Sequence, residues 1–298
     1  MKLKTERHAK EIFEKIISGA DVIFQVLDGR NPGGTRNQKL EEFVQKNTPN
    51  KKIFLIINKI DLIPQQVLQE WIEYFRKTTP YMVFGLSALY SRGLITFKKK
   101  LSHLFAKRQT KAIIVGYPNC GKSSLIKAFT KDKKNVPVSS RAGHTRGIIE
   151  IKITQYLSLL DTPGIIPISD NNEVDQGIKG VINPDKIKDK EAVVQALLDL
   201  YITPNIIMEY FNIDENYIKD TIPEYSQTFI HKFLQPEFNN TMSYSEFEYL
   251  IRLIGKKRGQ LSPGGEVNEN KVLTTIIHAW QKNKIKYYTL PPRNESIK

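Results

Sequence analysis

The sequence predicts an α/β domain with a mostly parallel sheet and helices on both faces, followed by a C-terminal all-α domain. Three observations carry this. Apolar, β-branched runs alternate with helix-period segments through residues 1–165; a glycine-rich loop joins one strand directly to a helix; and from about Asp189 the patterns are all helical.

The strand runs are "DVIFQVLD" from Asp21, "KIFLIIN" from Lys52, "MVFGLSA" from Met82, "AIIVGY" from Ala112 and "YLSLLDTPG" from Tyr156. "IIEIKITQY", 148–156, alternates with period two, as an edge strand would. Helices are expected at Gln65–Arg76 after Pro64, at Gly93–Ala106 and at Ser123–Phe129. In the second half, helical periods run from Asp189, Thr203, Tyr225, Ser243 and Asn268, separated by Pro, Gly and Asn breakers. Ser243 and Glu246 are spaced as a capping box, and Asn268 is a candidate N-cap. The expected domains are 1–168 and 181–298, with a linker over 169–180.

The chain has 298 residues, with 45 Lys plus Arg against 31 Asp plus Glu, a formal charge of +14. Such an excess favours a polyanionic partner, usually nucleic acid; general solubility is the alternative. One cysteine, Cys120, excludes an internal disulfide and suits a reducing compartment. The N-terminus lacks the apolar core of a secretory signal, and no apolar run approaches the ~20 residues of a membrane span. A cytoplasmic protein with no membrane partner is therefore expected.

"GYPNCGKSS", Gly116 to Ser124, fits the G-x-x-x-x-G-K-S phosphate loop between a strand and a helix. The expected nucleotide contacts are Gly116, Tyr117, Pro118, Asn119, Cys120, Gly121, Lys122, Ser123 and Ser124. Backbone N–H groups and the helix N-terminus would cradle phosphates, Lys122 would neutralise the β- and γ-phosphates, and Ser123 would ligate Mg²⁺. "NKID" ends the second strand. A carboxylate at Asp61 accepts two hydrogen bonds from the N1–H and exocyclic amine of guanine, a pair adenine lacks. Asn58 and Lys59 flank it, and "LSAL" would set Ser87 and Ala88 against the guanine O6. "DTPG" offers Asp161 to Mg²⁺ and the Gly164 N–H to the γ-phosphate; "SSRAGHTRG" offers Thr145 as a second Mg²⁺ hydroxyl. The five elements of a P-loop GTPase domain are thus present, but in the order 4-5-1-2-3. That is the order of a circularly permuted chain.

With these motifs the chain resembles the YlqF/YawG family of circularly permuted GTPases. "VLDGRNP", 26–32, is similar to that family's D-A-R-x-P signature, with Gly29 where alanine is usual. The C-terminal "GQLSPGGEVNENKVLTTIIHAWQKNKIKYYTLPP" resembles the archaeal and eukaryotic branch that includes nucleolar GTP-binding protein 2. The resemblance implies GTP and GDP as ligands and a role in large-subunit assembly. The partners would be a pre-ribosomal particle, its rRNA and ribosomal proteins, with no DNA and a monomeric chain. The location would be cytoplasmic, or nucleolar or nuclear in a eukaryote.

A Ras-type enzyme has a water-orienting glutamine directly after the D-x-x-G glycine; here Ile165 stands there. Families similar to this one hold K⁺ with a P-loop asparagine, and Asn119 occupies that place. Lys122, Thr145, Gly164 and Asn119 are the catalytic candidates, with slow intrinsic, partner-stimulated hydrolysis expected. His8 and His144 read as structural or solvent-facing, and Cys120 as a packing residue whose alkylation could block nucleotide entry. "GKKRG" (255–259) with "WQKNKIKYY" (280–288) offers cations for phosphates and Trp280, Tyr287 and Tyr288 for bases; a solvated basic helix end with aromatics anchoring the fold is the alternative. Three other readings stay open: a non-ribosomal GTPase switch, an RNA-binding module with structural nucleotide, and, opposed by Asp61, an ATP-using enzyme.

Overall fold

The computed structural model describes residues 16–106, 108–130, 149–161, 172–234 and 242–292. The chain divides into two compact units, Met1–Ser169 with Tyr288–Lys298, and Asp170–Tyr287. The expected helical domain therefore ends earlier than the sequence suggested, because the chain from Tyr288 is hydrogen-bonded into the first unit.

The first unit holds β1 (Val22–Asp28), β2 (Lys52–Asn58), β3 (Met82–Gly85), β4 (Thr110–Val115), β5 (Ile149–Lys152) and β6 (Leu157–Asp161) in one sheet. The order is β3-β2-β1-β4-β6-β5. All neighbours are parallel except β5, which runs antiparallel to β6 at the edge. From β1 the chain steps outward to β2 and β3, then returns to place β4 on the other side of β1. That reversal makes a topological switch point between β1 and β4, the place in an open α/β sheet where ligands bind off the strand carboxyl ends.

Alternate residues of each strand feed opposite faces, so both faces need apolar side chains. On one face Ile23, Leu27, Leu55, Ile57, Ile113 and Val115 pack with α1 (Gln38–Asn47) and α2 (Gln65–Thr78) through Leu40, Val44, Trp71 and Phe75. On the other face lies a run of aromatic rings. Phe24 and Phe54 are register partners with centroids 5.8 Å apart. Phe84 meets Phe97 of α3 (Leu94–Leu104) at 4.8 Å, and Phe97 meets Phe129 of α4 (Lys122–Thr130) at 6.1 Å.

Helix α1 escapes a periodicity argument because its buried face includes a carboxylate. Glu41 is only 3% exposed and accepts from Gln25 Nε2 at 2.7 Å and from Arg36 Nε and Nη2 at 2.8 and 2.6 Å. A buried charge so paired reads as a surface residue until its partners are located.

The second unit is helical: α5 (Glu173–Ile178), α6 (Lys190–Leu200), α7 (Pro204–Tyr210), α8 (Glu215–Thr221), α9 (Ser226–Phe233), α10 (Tyr244–Lys257) and α11 (Glu269–Gln281). Ser243 and Glu246 form the capping box of α10, and Asn268 caps α11. Val193, Leu197, Phe233, Leu250, Ile254, Ile276 and Ile277 are among its core residues. The bases expected to stack on Trp280 and Tyr287 find no platform there. Their rings lie against each other at 4.3 Å, 5% and 8% exposed, and Trp280 Nε1–H donates to the Ile178 carbonyl at 2.8 Å. Core packing has claimed both. Lys256, Lys257, Arg258, Lys282, Lys284, Lys286 and Tyr288 are exposed. Among the described residues, no helix is long and apolar enough to cross a membrane.

Candidate functional site

Because β1, β2 and β4 are parallel, their carboxyl ends share one edge of the sheet, and the loops leaving them converge at the switch point. Asp28 and Asn58 are register partners, the last residues of β1 and β2. The phosphate loop leaves β4 at Gly116 and opens α4 at Lys122. Gly116 and Gly121 have φ of 151° and 92°, where L side chains are strained, and a Cβ on Gly121 would meet Asn58 Nδ2 at 2.2 Å. Lys122 Nζ donates to the loop carbonyls of Gly116 and Tyr117 at 2.8 and 2.7 Å. Burial lowers its pKa from the ordinary lysine value. A partly desolvated cation over a glycine loop, at the N-terminus of a nine-residue helix, suits a bound phosphate.

Asn58 is 2% exposed and ties three motifs together. Its Nδ2 donates to the Cys120 carbonyl at 2.9 Å, and its Oδ1 accepts the Ala88 N–H at 3.0 Å. Lys59, held in the left-handed region at φ 62°, reaches the Asp28 carboxylate at 2.7 Å and the Asn119 carbonyl of the phosphate loop. Asp61 lies in the 3₁₀ turn Ile60–Leu62, and among the described residues its buried Oδ1 has no hydrogen-bond partner. A buried carboxylate oxygen left unmet is costly unless a ligand donates to it, and guanine has the matching donors.

The remaining candidates divide. Ser123, Ser124 and Asn119 are exposed around the loop, while Tyr117 and Cys120 face the core, so the phosphate loop presents their backbone rather than their side chains. Cys120 is 1% exposed, as its reading as a packing residue expects, and burial pushes its thiol up to about 12, which disfavours alkylation. Ser87 N–H donates to the Arg92 carbonyl at 2.9 Å and its hydroxyl accepts the Tyr90 N–H at 3.3 Å. In this conformation Ser87 and Ala88 are thus engaged within the protein. Thr145, Gly164, His8 and His144 lie outside the described residues; for Asp161 the strand backbone is described and the carboxylate is not.

Two residues mattered more than their motif suggested. Asp28 and Arg30 belong to "VLDGRNP", which stood out only as a signature. Arg30 donates to Asp28 through its backbone N–H (3.0 Å), Nε (3.0 Å) and Nη2 (2.8 Å), with both residues buried. Burial raises the Asp28 pKa, but hydrogen bonds and charges from Arg30 and Lys59 outweigh it and hold the carboxyl below its ordinary value. Gly29 is accounted for too: its N–H donates to the Asn58 carbonyl at 2.7 Å, and a Cβ there would lie 2.6 Å from that oxygen.

Known proteins share this fold. YlqF from T. maritima, solved with GNP bound, superposes with a TM-score of 0.59 over 94% of this chain and 97% of that one, at 20% identity. The fold is that of a circularly permuted GTPase. Residues 111–228 of this chain match the family model described as a 50S ribosome-binding GTPase. A GTP-binding protein of Methanocaldococcus jannaschii is 33% identical over 282 residues, covering 94% of this chain and 66% of the relative. Nucleolar GTP-binding protein 2 of Saccharomyces cerevisiae is 30% identical over 286 residues, 94% of this chain and 53% of the relative. The chain therefore spans between about half and two thirds of the length of these curated relatives.

Proposed function

We propose that this chain binds GTP and GDP, hydrolyses GTP, and acts as a nucleotide-gated factor in assembly of the large ribosomal subunit. The observation that carries the nucleotide reading is Asn58 bridging the phosphate loop and the "SAL" loop beside the unpartnered Asp61 Oδ1. One residue thus brings the phosphate-binding and base-reading elements of separate sequence regions into one site.

Asp61 would select guanine, and Lys122 with the loop N–H groups would hold the phosphates. Ser123, Thr145 and Asp161 would hold Mg²⁺, which supplies charge neutralisation at the β- and γ-phosphates when bound. Asn119 is proposed for K⁺, its side chain exposed at the loop. With Ile165 in the glutamine position, unassisted turnover should be slow, ~10⁻² s⁻¹ or below. Hydrolysis should be faster in K⁺ than in Na⁺ and lose that difference in Asn119→Ala; equal rates for the unmutated protein would remove the K⁺ assignment.

The ribosomal role is supported by the match to a 50S ribosome-binding GTPase family, by the nucleolar relatives and by the +14 charge. Exposed Lys256, Lys257, Arg258, Lys282, Lys284 and Lys286 are the proposed phosphate contacts. Sedimentation with purified large subunits, in GDP and in a non-hydrolysable GTP analogue, tests it. Comigration in one nucleotide state is expected. Comigration in neither would leave a GTPase with another target.

A further inference from the structure

The chain leaves the first unit near Ser169 and re-enters it at Tyr288, and the returning segment is fastened at one residue. Thr289 donates twice to the Arg30 carbonyl, from its N–H at 2.8 Å and from Oγ1 at 3.1 Å. Its own carbonyl accepts the Trp71 Nε1–H at 2.7 Å. Trp71 is 2% exposed, and a Cβ on Gly33 would meet its ring at 2.9 Å, so it touches both the clipped residue and the loop being clipped.

That loop, 28–36, is stiffly held. Asn31 N–H bonds the Asp28 carbonyl at 3.0 Å, Thr35 N–H the Asn31 carbonyl at 3.1 Å, and Asp28 N–H the Thr35 hydroxyl at 2.9 Å. Arg30 carries the chain of contacts onward. Its side chain grips Asp28, Asp28 grips Lys59, and Lys59 grips the Asn119 carbonyl in the phosphate loop. The three links from Arg30 to the phosphate loop are all hydrogen bonds, the first two between buried or nearly buried groups. A displacement of the Arg30 carbonyl has little slack in which to dissipate.

We propose that Thr289 is a positioning residue for the nucleotide site: the returning C-terminal segment holds Arg30, and through Asp28 and Lys59 holds the phosphate loop in its binding geometry. Docking of the segment and binding of nucleotide then reinforce each other, with the coupling equal in both directions. The inference rests on the guanine-nucleotide reading above. It supplies a hydrogen-bonded route from the returning C-terminal segment to the phosphate loop.

The test uses the full chain with two variants. Thr289→Pro removes both donors to Arg30, since proline has neither N–H nor hydroxyl. Trp71→Phe removes only the indole donor and keeps an aromatic ring in the core. Release of a fluorescent GDP derivative should be at least ~5-fold faster in each folded variant, the lower end of usual allosteric coupling. In the unmutated protein, saturating GDP should slow hydrogen exchange at the Thr289 amide by a matching factor. A merely structural clip would lower the melting temperature without moving either readout. Release rates within twofold of the unmutated protein in both variants, or Thr289 exchange indifferent to GDP, overturns the proposal. If the unmutated protein does not retain GDP, the guanine reading fails first and the positioning role falls with it.

Discussion

Asn58 donates from Nδ2 to the Cys120 carbonyl at 2.9 Å across 62 residues of chain. It is the bond that closes the nucleotide site, because the same side chain accepts the Ala88 N–H on its other atom. Both groups are buried, so neither can exchange its partner for water without cost. Asn58→Ala should strand the Ala88 N–H and loosen the phosphate loop. GDP affinity should fall ~10- to 100-fold, from a loss of about 1.4 to 3 kcal/mol. Isothermal titration checks this, and unchanged affinity would mean the loop holds its shape without Asn58.

Asp61 supplies base choice if its unpartnered oxygen is the guanine acceptor. Asp61→Asn replaces one acceptor with a donor, which mismatches guanine but suits xanthine, whose C2 carries a carbonyl oxygen. GTP binding should weaken ~100-fold or more while xanthosine nucleotides gain. Competition binding with the four nucleoside triphosphates and XTP reads this directly. A variant that still prefers GTP would place base recognition elsewhere.

Asp28 neutralises two cations in a buried space, Arg30 and Lys59, whose side chains are 5% and 15% exposed. Asp28→Asn leaves both charges facing an amide, and removing one partner of a buried pair costs ~3–5 kcal/mol. The pH dependence has a definite sign. The folded-state pKa is lowered, so the carboxylate's stabilisation is fully present above the ordinary aspartate value near pH 4, of order 3.9. It is lost as pH falls through the lower folded-state value. Denaturant melts from pH 7 down to pH 2 should show that acid decline, and Asp28→Asn should be less stable at pH 7 with the decline flattened.

Cys120 reports on the phosphate loop without being part of its chemistry. With its thiol pushed up to about 12, only about one in ten thousand is thiolate at pH 8, and 1% exposure keeps reagents away. Native protein should label slowly with a maleimide, more slowly with GDP bound, and completely in denaturant. Stoichiometric labelling within seconds of mixing would show that the loop opens readily.

How much was legible depended on whether the signal was local. β1, β2, β4 and β6 are short β-branched runs ended by motif residues, and α10 and α11 carry their own caps, so local patterns located them. Helix α1 was not legible because Glu41 is buried only by virtue of Gln25 and Arg36. Trp280 and Tyr287 stayed ambiguous for the converse reason: aromatics beside lysines read the same whether they stack on bases or on each other. The Asp28–Arg30 pair was visible as letters, but nothing in the letters said that Lys59 completes it.

By itself the sequence determined the strand and helix types, the phosphate loop, the candidate carboxylate Asp61 and the permuted order of the motifs. These rest on period, caps and glycine positions, which act over a few residues. Tertiary structure alone decided that Asn58 links Cys120 to Ala88, that Arg30 shields Asp28, and that Thr289 returns to fasten Arg30. Such contacts join residues up to 259 positions apart, as Thr289 and Arg30 are, and no local propensity records them. They exist because a parallel sheet gathers its strand ends at one edge, where buried polar groups must find partners in whatever chain the fold delivers.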